Sequence, residues 1–82
     1  MRENYNMKKA FDLVIGLLND TTYDYKVISI KDRNDHNDFE FEIIEYGPSY
    51  QTEKYFLYVN KVNNNNEVLN AFNEPVNVDT EF

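Results

Sequence analysis

Residues 39–46 read FEFEIIEY, and their period-two alternation decides what kind of fold the chain can adopt. Successive strand side chains point to opposite faces, so Phe39, Phe41 and Ile43 line one side, while Glu40, Glu42 and then Ile44 line the other. A helix would scatter the same residues around its circumference. The stretch is therefore a strand with one buried and one wet face, the pattern of an antiparallel sheet covered on one side.

The flanking sequence extends this reading in both directions. Upstream, residues 22–31 (TYDYKVISIK) also alternate, with Tyr23, Tyr25 and Val27 on one side and Asp24 and Lys26 on the other. The apolar positions then change parity at Ile28 and Ile30, which predicts a twist or bulge. Downstream, Gly47, Pro48 and Ser49 signal a turn before a third strand over residues 51–62 (QTEKYFLYVNKV). There Tyr55, Leu57 and Val59 oppose Phe56, Tyr58 and Asn60. Both faces are rich in apolar or aromatic groups, which suits a central strand or one that meets a partner. Connections this short leave no room for crossover helices, so the pairing is antiparallel.

Ahead of the strands, Met7, Ala10, Phe11, Val14, Ile15, Leu17 and Leu18 recur at helical spacing between Glu3 and Asn19. Asp12 interrupts the short apolar run that follows Lys8 and Lys9, so this segment reads as an ordinary amphipathic helix rather than a signal peptide. Gly16 costs about 1 kcal/mol inside a helix and would suit close packing on a sheet. Behind the strands, the asparagine run 63–66 offers an N-cap for EVLNAFN (67–73), where Val68, Leu69 and Phe72 make a small apolar face before Pro75. The expected fold is α+β. An N-terminal helix packs on a three-stranded antiparallel sheet, followed by a short helix and a tail (76–82) that is loose or adds an edge strand through Val76 and Val78. Residues 1–82 form a single compact domain.

Composition narrows the function classes. A net charge of -7 repels nucleic-acid phosphates and anionic lipid, so direct nucleic-acid or membrane binding is not expected, and a basic partner is. With no cysteine there can be no disulfide, thiolate zinc site or thiol nucleophile, which favours a cytoplasmic setting. The acid-rich stretch KDRNDHNDFEFEIIE (31–45) fails as a calcium loop: starting from Asp32, Asn37 takes the glycine position and Ile43 that of the terminal glutamate. His36 is the single histidine and sits beside aspartates in a polar connector, the ordinary setting of a solvated side chain. Glu40 and Glu42 lie about 6.8 Å apart on one strand face, a spacing that an inverting glycosidase could use but that every Glu-x-Glu strand shares. Neither an enzyme nor a cofactor is expected.

The remaining reading is electrostatic. Asp35, Asp38, Glu40, Glu42 and Glu45 form a line of negative charge whose spacing a basic, polyanion-binding groove could accept, with Tyr46 and Tyr50 as contact anchors. A second possibility is self-association through an aromatic sheet face containing Phe56 and Tyr58.

In element order, the helix YNMKKAFDLVIGLLND, the strands TYDYKVISIK, FEFEIIEY and EKYFLYVNKV, and the segment NEVLNAFN resemble small phage-encoded anti-CRISPR inhibitors of the type II-A kind. The resemblance covers most of the chain as architecture and no residue-specific motif, so no residue role follows from it. It implies a non-enzymatic inhibitor in the cytoplasm of a bacterial host. Its acidic side chains would occupy the place of duplex DNA in the basic groove of a CRISPR nuclease.

Overall fold

The structure, a computed structural model, describes residues 3–20, 24–47, 52–63 and 66–76. A short strand β1 (Glu3–Asn4) precedes helix α1 (Met7–Asn19). Long strands β2 (Asp24–Arg33), β3 (Asp38–Tyr46) and β4 (Thr52–Asn60) follow, then the two-residue strands β5 (Val62–Asn63), β6 (Val68–Leu69) and β7 (Pro75–Val76). The main sheet has the order β2-β3-β4-β6-β7 with every pairing antiparallel, and β1 pairs with β5 in a small second ladder.

The helix starts at Met7, the first of its apolar positions, rather than at Glu3. Asn6 is the N-cap, its side-chain oxygen accepting from the Lys9 N–H at 2.8 Å, and this ends the extended segment that β5 holds. Ala10, Val14 and Leu18 form its buried stripe, while Met7 and Phe11 remain substantially exposed. That stripe covers Phe39, Phe41 and Ile43 of β3 together with Leu57 and Val59 of β4, all buried as the alternation of both strands requires. In β2 the register with β3 shifts between Val27 and Ser29. The bulge leaves Ile28 exposed and returns Ile30 to the core side.

Two expectations need correction. The sheet has five strands rather than three, and residues 67–73 are not a helix. Val68 and Leu69 are buried as β6 beside β4, and the chain then turns tightly into β7. Asn70 drives the turn. Its side-chain oxygen accepts from the N–H groups of Phe72 (2.9 Å) and Glu74 (3.0 Å), and its own N–H donates to the Glu74 carbonyl. An asparagine side chain competes in this way with helical backbone bonding, and Asn73 completes the turn in the left-handed region at φ 63°. Phe72 lies on no buried stripe and is 82% exposed at the loop tip. Val76 does join an edge strand by pairing with Val68; Val78 lies outside the described residues.

Candidate partner-binding surface

The register sorts the charged side chains into two groups. Away from the helix, the outer face of the sheet carries the rungs Arg33–Asp38–Asn60, Lys31–Glu40–Tyr58, Ser29–Glu42–Phe56, Lys26–Ile44–Lys54 and Asp24–Tyr46–Thr52. Lys26, Lys31, Arg33 and Lys54 thus stand against Asp24, Asp38, Glu40 and Glu42 on one surface. Their charges cancel, so the net -7 of the chain lies elsewhere.

Three of the acids expected to face a partner are engaged within the molecule. Asp38 is buried and accepts two hydrogen bonds from Arg33, at 2.8 and 2.9 Å, and the guanidinium lies 4.5 Å from the centroid of the Tyr58 ring. The Asp38 hydrogen bond holds Arg33 still more firmly protonated than usual. Glu40 accepts from the Tyr58 hydroxyl at 2.8 Å and lies 3.8 Å from Arg33. Glu42 accepts from Lys54 at 2.9 Å and from Ser29 at 3.0 Å; the Lys54 bond, then the Ser29 bond, hold its pKa below the ordinary glutamate value. A general acid needs a shift in the opposite direction. Asp35 is well exposed in the β2–β3 turn, with His36 at 3.7 Å.

The other group lies at the far end of the sheet. Glu45 and Glu53 are directly opposed in the β3–β4 ladder, with Tyr25 on the other side of Glu45, and the next rung is Asp24–Tyr46–Thr52. Like charges on one rung are destabilising by roughly 0.2–1 kcal/mol. Tyrosine hydroxyls absorb part of that cost, Tyr25 donating to Glu45 at 3.0 Å and Tyr55 to Glu53 at 2.7 Å. Burial first, and then the hydrogen bond to Glu53, raise the Tyr55 pKa well above that of free tyrosine. Among the described residues no ion pair reaches Asp24, Glu45 or Glu53. Tyr46, one rung on and on the outer face, is 46% exposed.

Of the expected set, the fold therefore brings Glu45 and Tyr46 to the same end of the sheet but on opposite faces, commits Asp38, Glu40 and Glu42 to internal pairs, and leaves Asp35 at the opposite end of β3. Tyr50 lies outside the described residues. Glu53 joins Glu45 only through the register, which no local pattern announces. Among the described residues, no group of three or more His, Asp or Glu side chains converges to hold a metal ion, and no helix is long and apolar enough to cross a membrane. In comparisons with known proteins, no family model, curated protein or solved structure gives a significant match to this chain.

Proposed function

We propose that this protein is a non-enzymatic binding module that sets the acidic end of its sheet against a basic surface of another protein, one that normally holds nucleic acid. The observation that carries this reading is the rung at which Glu45 faces Glu53 with no cation among the described residues. Every other acid on the three long strands apart from Asp24 has a cation within the molecule, in most cases at hydrogen-bond distance. A like-charge rung costs stability in the free protein and is relieved when a Lys or Arg from a partner enters between the carboxylates. Tyr46, 46% exposed at the same end of the sheet on the opposite face, supplies contact area for a partner that wraps that end, at low entropic cost. The resemblance to anti-CRISPR inhibitors makes a CRISPR nuclease in the bacterial cytoplasm the first partner to try, with the acidic end in the place of duplex DNA. No nucleic acid, membrane or cofactor enters this reading.

The test is capture on the immobilised protein, with salt-step elution and competition by duplex DNA, comparing wild type with the Glu45→Lys, Glu53→Lys double variant. The expected result is a nucleic-acid-binding protein that salt and DNA both release and that the variant holds at least about tenfold more weakly. Retention unchanged by the charge reversal would sink the reading.

A second reading is self-association through the outer face, favoured by one observation: this is the surface whose charges cancel, so two copies of a strongly acidic chain could meet there without repulsion. Phe56 and Tyr58 would lie at its centre. Such association would survive high salt and be weakened by Phe56→Ala.

A further inference from the structure

On the side of the molecule away from β2, α1 and the β6–β7 hairpin leave an open groove of about 350 Å³. Leu13 and Leu17 from the helix and Val68 and Val76 from the strands give it an apolar lining, and Asp12, Asp20 and Asn66 complete it with polar groups. Gly16 lies between the two leucines of the helix wall. A Cβ built there would meet nothing within 4 Å, so the glycine is not a packing contact and leaves the helix backbone open to an incoming chain. The groove is also electrostatically unfinished. The last turn of α1 carries no basic residue, and its C-cap is Asp20, so the negative end of the helix dipole and a carboxylate coincide. Among the described residues Asp12 is matched only by Lys8, at 3.1 Å in an exposed pair, an interaction of little strength that a second cation can displace.

We infer that this groove is a docking site for a basic amphipathic helix of a partner protein. Leucine-like side chains at helical spacing would lie over Gly16 between the apolar walls, and a Lys or Arg would reach Asp20 at the negative end of the helix dipole. Charge complementarity selects this occupant over a second copy of the chain, whose net charge of -7 would be repelled by Asp12 and Asp20. Neither Glu45 nor Glu53 lines the groove, so the inference stands whether or not that rung is an interface.

The test uses two acetylated, amidated peptides of identical leucine, alanine and lysine composition. One has leucines at i, i+3, i+4 and i+7; the other is scrambled, which controls for bulk attraction to an acidic protein. Affinities are measured by fluorescence anisotropy on the full chain. The patterned peptide is expected to bind at least about tenfold more tightly than the scrambled one. Gly16→Leu, which fills the groove with a better helix former and so keeps the fold, should abolish that preference. Asp20→Asn should weaken patterned binding several-fold, and Glu45→Lys with Glu53→Lys should leave the preference intact. Equal binding of the two peptides, no binding, or a preference that survives in Gly16→Leu would each overturn the inference. So would self-association of the wild type that Gly16→Leu removes, which would assign the groove to a second copy.

Discussion

Removing the Arg33 guanidinium should be the most damaging single change on the polar face of the sheet. In Arg33→Met, Asp38, only 10% exposed in the intact pair, loses hydrogen bonds of 2.8 and 2.9 Å, and the Tyr58 ring loses the guanidinium above it. Truncating one partner of a fully buried pair costs about 3–5 kcal/mol, because the surviving charge is stranded. Arg33 is itself 22% exposed, so water can reach part of the vacated site, and about 2–3 kcal/mol is the appropriate expectation. Against a total stability of roughly 4–12 kcal/mol for a chain of this length, that is a large fraction, and it corresponds to a fall in Tm of roughly 10–20 °C. Chemical and thermal denaturation at pH 7, followed by far-UV circular dichroism, measure it directly. The double variant Arg33→Met, Asp38→Leu should recover most of the loss, since no charge is then left buried. A loss below about 1 kcal/mol, or one that vanishes in 0.5–1 M salt, would show that the pair behaves as a surface ion pair and would refute the burial reasoning.

Gly16→Ala should stabilise the protein by about 1 kcal/mol, because the added Cβ meets open space and the unfolded chain loses freedom; a destabilised variant in urea titration would show that the groove wall is tighter than described. The pKa values of Tyr55 and Tyr58 are raised on folding, by burial first and then by hydrogen bonds to Glu53 and Glu40 respectively. A proton held more tightly in the folded state means stability is intact below the free tyrosine value of about 10 and declines as pH rises towards the raised values. Urea midpoints should therefore fall above about pH 10, and less steeply in Tyr55→Phe; a flat profile would contradict the assignment. Asn37 occupies the left-handed region at φ 56° in the β2–β3 turn, so Asn37→Val should cost about 1–2 kcal/mol and Asn37→Gly little or nothing, both measurable by thermal melts.

The secondary structure of the main layer and much of its core can be read from the sequence, because both are written in local periodicity. FEFEIIEY alternates, and Phe39, Phe41 and Ile43 are buried accordingly. The parity change after Val27 marks a real bulge, and the helical stripe of Ala10, Val14 and Leu18 covers the sheet. The segment 67–73 misleads because its helical spacing is as good as that of a true helix. Whether Asn70 caps or breaks depends on β4 being available to pair with Val68 and Leu69. Charge shows the same division. Composition alone makes the chain acidic, and alternation alone puts Glu40 and Glu42 on the wet face. Only the register sets Arg33 across from Asp38 and Lys54 beside Glu42 while leaving Glu45 against Glu53. Strand periodicity is a property of neighbours along the chain, whereas cross-strand pairing joins residues far apart in sequence through the tertiary fold. For that reason the sequence could mark the acids but not say which of them remain free to meet a partner.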